Sequence, residues 1–480
     1  MRKSSLLTSL LLLGSLTLTA ACSSGTPGSP GAEPGHRPSG SSPAISDRGV
    51  DPARIKGLEI VTDSSEHGFC RYAASYPAVP GAEAMTATMK RFVEQRVDSF
   101  RAGSCQNGSA ADAGGELNVS HEFLVASGDV LGVRLTTRDG SAAGSGLSHR
   151  TYWYDGKDRT ARTGPDLITD ATQGSLVSAL KKKLKGRHGV DATSLDTAFG
   201  DPANRATALD DMVFTTDGGL RATFDPGEVG VPAAGQYVVA LSKTTVTPWL
   251  SDFGKRVQQQ TVRPSSRLDL GAAHTPEPSV PTEAVLGDDT TDCKKVKCIA
   301  LTFDDGPAAP ETATLLKHLT QHKARATFFT TGQNVAAHPE LARAEAQAGH
   351  EVGNHSWNHP DLTGLTPAQV RSQLDRTSTA IKTATGKAPT LFRPPYGAMN
   401  ATVKAATPLS PVLWDVDTED WKYRDAAKVA RTVIDKAERN DVVLLHDIHP
   451  TSVAAVPEIL QTLTARGYHF VTVSHLRASL

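Results

Sequence analysis

Cys298-Ile299-Ala300-Leu301-Thr302-Phe303 runs directly into Asp304-Asp305-Gly306. A short apolar run without alternation, closed by turn-forming residues, suits a strand buried on both faces. The same pattern recurs downstream. Apolar runs at 326–331, 351–353, 391–392, 412–416, 442–445 and 469–473 are separated by stretches of helical periodicity. Strands alternating with helices predict a parallel α/β sheet or barrel, in which functional residues gather where strands end.

Polar clusters sit after those runs. Alone, Asp304-Asp305-Gly306 reads as a turn; at the end of a buried strand, one carboxylate can bind a metal while the other accepts a proton. His355-Ser356-Trp357-Asn358-His359 spaces two imidazoles four residues apart. On a helical turn such side chains share a face and can grip one ion. Paired histidines are a weak signal by themselves. With one Asp they make a two-nitrogen, one-oxygen set that leaves a zinc position open for water. Arg393-Pro394-Pro395-Tyr396-Gly397 supplies a fixed cation able to grip a carboxylate, and its prolines stiffen the backbone that presents the Tyr396 N–H. Asp417-Thr418-Glu419-Asp420-Trp421 and Leu444-Leu445-His446-Asp447 complete the series. In isolation His446 reads as a satisfied core histidine.

Taken together and in this order, the clusters resemble the signature motifs of the polysaccharide deacetylase family (NodB homology, carbohydrate esterase family 4) over about 297–476. The resemblance implies a distorted (β/α) barrel of NodB type. It implies that Asp304 is the general base and that Asp305, His355 and His359 bind the metal. Arg393 would pair with and orient Asp304, and the Tyr396 N–H would help stabilise the oxyanion. Asp420 would hold and tune His446, the general acid, while Trp421 and Leu444 would line the pocket for the acetyl methyl. The implied cofactor is a divalent metal, with zinc the default and cobalt, nickel or manganese able to fill the same site. The implied reaction removes N-acetyl groups from N-acetylglucosamine or N-acetylmuramic acid of peptidoglycan. Chitin oligomers and acetylated xylan stay open as substrates, because substrate choice lives in groove loops.

The upstream part is a separate unit of another class. Within 51–262, Met85, Met89, Phe92, Val93, Val97 and Phe100 recur at helical spacing. Leu117, Val119, Phe123 and Val125 alternate, as do Leu131, Val133 and Leu135, which predicts an α+β domain with an antiparallel sheet. Gly146-Leu147-Ser148-His149, Tyr152-Trp153-Tyr154-Asp155, a helix near 176–184, Phe224-Asp225-Pro226-Gly227-Glu228-Val229 and Gly235-Gln236-Tyr237 form an ordered series. That series resembles the RsiV-like extracellular domain of anti-sigma lysozyme sensors, found also ahead of some peptidoglycan deacetylases. It shows no convergent catalytic cluster. A second reading of the whole chain is therefore a cell-wall or lysozyme-binding lipoprotein.

The chain has 480 residues, enough for several domains. Its formal charge of −1 offers no electrostatic case for nucleic acid. Arg2 and Lys3 precede an apolar run over 6–18 and then small residues before Cys22. This describes a secretory signal peptide, 1–21, too short to span a membrane. Ala20-Ala21-Cys22 resembles a bacterial lipoprotein box, with Cys22 the lipidated residue; Thr19 stands where Leu is preferred, and plain cleavage is the alternative. The Ser/Gly/Pro-rich 22–50 reads as a disordered tether and 263–292 as a linker, leaving 293–480 as the catalytic domain. The expected location is the outer face of the bacterial membrane, reached through a lipid anchor, or the wall, with wall polysaccharide as partner and a monomeric state. Cys70, Cys105, Cys293 and Cys298 allow three pairings; domain logic favours Cys70 with Cys105 and Cys293 with Cys298.

Overall fold

The computed structural model describes residues 50–65, 70–105, 115–140, 146–271 and 289–480. Cys22, the signal segment, most of the tether and 272–288 of the linker lie outside the described residues.

The N-terminal half holds two sheets. Strands β1 (Glu59–Ser65), β2 (Arg71–Ala78), β3 (Glu116–Ser127), β4 (Val130–Asp139), β5 (Gly146–Asp155) and β6 (Thr160–Arg162) lie side by side in chain order. The sheet is antiparallel except where β2 runs parallel to β3. That exception has a topological cause: the helix Glu83–Ser104 crosses between these two strands, and a crossover returns the chain in the same direction. The helix turns Met85, Met89, Val93, Val97 and Phe100 inward, one buried stripe at helical spacing. A second, antiparallel sheet of β7 (Met212–Phe214), β8 (Leu220–Phe224) and β9 (Tyr237–Leu241) shares a core with Leu176, Leu180 and Leu184 of the helix Gln173–Leu184. Trp153 of β5 reaches this core by lying over Gly132, where a Cβ would stand 2.3 Å from the indole. The ordered series beginning at Gly146 converges as well. The His149 backbone N–H donates to Asp225 Oδ2 at 2.8 Å, and its Nδ1 lies 3.0 Å from Oδ1.

The C-terminal half is an open parallel sheet wrapped by helices. It comprises β10 (Lys297–Asp304), β11 (Ala326–Thr330), β12 (Glu351–Asn354), β13 (Leu391–Phe392), β14 (Ser410–Pro411), β15 (Val416–Asp417), β16 (Val442–His446) and β17 (Tyr468–Phe470). The order is β14-β13-β12-β11-β10-β16-β15, with β17 pairing the start of β10. β14 and β15 form the two ends, so the barrel is curled but not closed. The run at 412–416 is strand only at its last residue, and the run at 469–473 only at its start, because both belong to peripheral strands of two and three residues.

β10 is central and its alternation builds the rest. Ile299, Leu301 and Phe303 point into the helix-covered core with Leu315, Leu319 and Ile459. Thr302 and Asp304 point to the opposite face. Phe303 stacks on Phe328 of β11 with centroids 5.5 Å apart. Disulfides join Cys70 to Cys105 and Cys293 to Cys298. Replacing the fully buried Phe328 by Ala is expected to destabilise the C-terminal half by about 3–5 kcal/mol, read as a lower midpoint in urea followed by tryptophan fluorescence.

Candidate active site

Parallel register brings the key groups together. Thr302 faces Leu444 and Asp304 faces His446 across β10 and β16. Residues two apart on a strand share a face, so these four side chains occupy one patch at the carboxyl ends. Asp304 and His446 are 2% and 1% exposed.

Asp305 follows β10 in a left-handed turn with φ 74°. His355 and His359 follow β12. They do not lie on a helix, contrary to the reading of their four-residue spacing. Ser356 and His359 have φ of 66° and 57°, so the chain folds back as a tight loop. Side chains replace the missing helical bonds: Asn354 Oδ1 accepts from Ser356 N at 2.8 Å, Ser356 Oγ from His359 N at 3.1 Å, and Gln373 Oε1 from Trp357 N at 2.8 Å.

The two imidazoles and the carboxylate nonetheless converge. His355 Nε2 and His359 Nε2 each lie 3.7 Å from Asp305 Oδ1, and the three ligand atoms fall within 4.8 Å of one another. At 3.7 Å these are not hydrogen bonds, and buried Asp305 Oδ1 accepts none. The spacing is what ligands about 2.0–2.2 Å from a shared ion require. His355 Nδ1 lies 2.7 Å from the Arg393 carbonyl, which fixes the tautomer that aims Nε2 at the ion. Burial holds the His355 imidazole below its ordinary range, the neutral form a metal needs. Burial opposes charge on Asp305 too, but His359 and His355, then His446 and His449, outweigh it and hold its carboxyl low. The residues fit a divalent metal.

Two further carboxylates are each held by a partner. Arg393 Nη1 donates to Asp304 Oδ1 and to Thr302 Oγ1, both at 2.7 Å. This leaves Asp304 Oδ2 as the oxygen turned towards the metal ligands, 3.6 Å from His355 Nε2. Asp420 Oδ1 lies 2.8 Å from His446 Nδ1, while its Oδ2 accepts from His446 N at 2.8 Å and Ser452 Oγ at 2.5 Å. Burial alone would lower the His446 imidazole. The charge and hydrogen bond of Asp420, with Asp305 and Asp304 behind it, push it up to about 10. In return Asp420, against the pull of its burial, is held well below the usual carboxylate range.

The chain resembles known proteins in sequence. Residues 291–409 match the sequence profile of a family described as polysaccharide deacetylase. A peptidoglycan-N-acetylmuramic acid deacetylase of Bacillus subtilis, PdaC, is 30% identical over 429 residues, 87% of this chain and 88% of that protein. The chain belongs to the polysaccharide deacetylase family. A peptidoglycan-N-acetylglucosamine deacetylase of Listeria monocytogenes, PgdA, is 45% identical over 183 residues, which are 38% of this chain and 39% of that protein. The chain thus spans about two-fifths of that relative's length. A solved structure of B. subtilis PdaC matches with 42% identity and a TM-score of 0.38, over 38% of this chain and 91% of that one.

The remaining positions that carry the family resemblance border the same patch. Tyr396 has φ 60° and sets its ring 4.7 Å from that of His359. Leu444 is buried two residues before His446, and Trp421 N donates to Asp420 Oδ1 at 2.9 Å. Several groups on which this site depends carried no signal in the sequence. Asn354 and Gln373 build the histidine loop, Ser452 braces Asp420, and Thr302 shares Arg393. Ser and Asn are too common for any one to stand out, although Asn354 directly precedes His355. Besides bonding Ser356, the Asn354 Nδ2 donates to the Leu374 carbonyl at 2.8 Å and Ser378 Oγ at 2.9 Å. Asn354→Ala is expected to weaken divalent-metal binding about 10- to 100-fold, measured by competition with a metal-sensitive dye.

Proposed function

We propose that this chain is a metal-dependent peptidoglycan N-deacetylase acting on N-acetylglucosamine or N-acetylmuramic acid residues. One observation carries the reading. Asp304 held by Arg393 and His446 held by Asp420 face each other on adjacent parallel strands, beside the Asp305–His355–His359 group. The substrate rests on the two relatives, both named for peptidoglycan. Zinc is the proposed ion, since two imidazoles and one carboxylate are a common catalytic zinc set.

When bound, the ion acidifies water and polarises the acyl oxygen. Asp304 Oδ2 accepts the proton that the attacking water loses, while Arg393 fixes Oδ1 and hence the carboxylate plane. The Tyr396 N–H, set in an αL turn behind Pro394 and Pro395, stabilises the developing oxyanion. His446 carries a proton on Nε2, because Asp420 engages Nδ1 and favours the cation. It gives that proton to the sugar nitrogen as the C–N bond breaks. Water has then added across the amide, yielding acetate and a free amine. Leu444 and Trp421 form the apolar wall for the acetyl methyl.

The leader and Cys22 support export and lipid anchoring at the outer face of the membrane, and the RsiV-like resemblance of 51–262 is consistent with the wall. Cys22→Ser is then expected to move the protein from the membrane fraction to the medium.

Acetate release from peptidoglycan, chitin oligomers and acetylated xylan, with and without chelator, tests the reaction. Activity on peptidoglycan that chelator abolishes is expected, as is a fall of about 10²–10⁴-fold in kcat for Asp304→Asn. Metal-loaded protein that releases acetate from none of the three would end the deacetylase reading. The pH profile tests the acid. Activity needs protonated His446, so it falls as pH rises through that group's pKa. Asp420→Asn removes the charge that raises this pKa and should move the alkaline limb to lower pH. An unmoved limb would exclude His446 as the acid.

A further inference from the structure

The proposed substrate is a polymer, yet the metal ligands are almost wholly buried. Asp305, His355 and His359 are 1%, 2% and 4% exposed. The cavity beside Asp305 and His359 measures about 20 Å³, room for about one water. Its far wall belongs to the N-terminal half: Thr62 of β1, Ala74 of β2 and Val119 of β3.

Contacts from those strands end on the site itself. Ser64 Oγ of β1 donates to Asp305 Oδ2 at 3.4 Å. Asn118 Nδ2 of β3 donates to the carbonyls of Asn358 and His359 at 2.9 and 3.3 Å. Arg71 of β2 pairs with Asp361 at 2.8 Å and lies 5.8 Å from the centre of the Tyr396 ring. From the other side, Gln333 Nε2 donates to the His121 carbonyl at 2.7 Å.

We propose that the N-terminal sheet is an inhibitory cover, fastened on the metal ligands and on the Tyr396 loop, which must lift before a glycan chain can bind. The proposal rests on the deacetylase reading above. A sugar residue in a polymer has neighbours on both sides and needs a groove open at both ends, whereas the metal ligands lie under strands of the other half. Ser64 and Asn118 sit on β1 and β3, two of the strands that supply that wall, so their bonds to Asp305 and to the histidine loop hold the closed state rather than the reacting one. The seam is built to release. The apolar core under β1–β5 takes in one residue of the catalytic half, Ala337, and the other contacts named are polar. Polar interfaces between domains of one chain permit relative motion, whereas large apolar ones do not.

Full-length, metal-loaded protein carrying Arg71→Ala or Asn118→Ala tests this by two readouts: acetate release from peptidoglycan, and the rate at which excess chelator strips the metal. Losing one polar contact should raise both about three- to tenfold over the parent chain. Should either variant fail to fold, Gln333→Ala weakens the seam from the catalytic side. Equal stripping rates in parent and folded variants would overturn the cover, as would slower acetate release by the variants. Faster stripping with no acetate from any form would support the cover and sink the deacetylase reading instead.

Discussion

The site depends on one buried guanidinium. Arg393 is fully buried, a position that would be prohibitive for an unpaired charge. It is not unpaired: Nη1 bonds Asp304 and Thr302, Nε and Nη2 reach the carbonyls of Val412 and Leu413, and Cζ lies 4.4 Å from the centre of the Phe329 ring. Its backbone works as well. The Arg393 N–H donates to the Asn354 carbonyl at the end of β12, and its own carbonyl takes His355 Nδ1. One residue therefore orients a carboxylate through its side chain and a metal ligand through its main chain. Lysine could keep the charge but not this planar set of bonds.

Around that anchor the backbone is held in costly shapes. Nine non-glycine residues have positive φ among the described residues, and five of them belong to the functional clusters: Asp305, Ser356, His359, Tyr396 and Glu419. Each such conformation costs of order 1–3 kcal/mol and persists only where its surroundings enforce it. Here they do, through Asn354, Gln373 and the proline pair before Tyr396. The histidine loop is thus braced by the protein's own side chains.

The chemistry was legible in the sequence because it lies in ordered local clusters at strand ends. Asp304, Asp305, His355, His359, Arg393, Asp420 and His446 each sit within a few residues of an apolar run, and the α/β alternation follows from the same runs. The histidine loop was not legible. Four-residue spacing fits a helical face equally well, and what decides against it is Gln373, supplied from a later helix. The docking of the two halves was hidden for a stronger reason. Ser64 meets Asp305 across 241 residues and Asn118 meets His359 across the same separation. Neither serine nor asparagine announces such a contact.

Burial has opposite consequences for the two parts of this site. For the Asp420–His446 pair it is an advantage, because the low dielectric strengthens the bond that holds a proton on the imidazole. For the metal ligands it is an obstacle, because the atoms that close over them are protein and not substrate. The Asp420 carboxylate takes its hydrogen bonds from Ser452 and the His446 main chain, both of the catalytic half, although the helix Asp420–Tyr423 also meets β1. Asp305 and His359 line the cavity under that sheet, and the proposed lifting would wet them. On the proposed reading, a glycan bound beneath the lifted sheet would supply the second wall beside the metal ligands. On that reading, a sugar that packs poorly against the metal side would leave water there and react slowly.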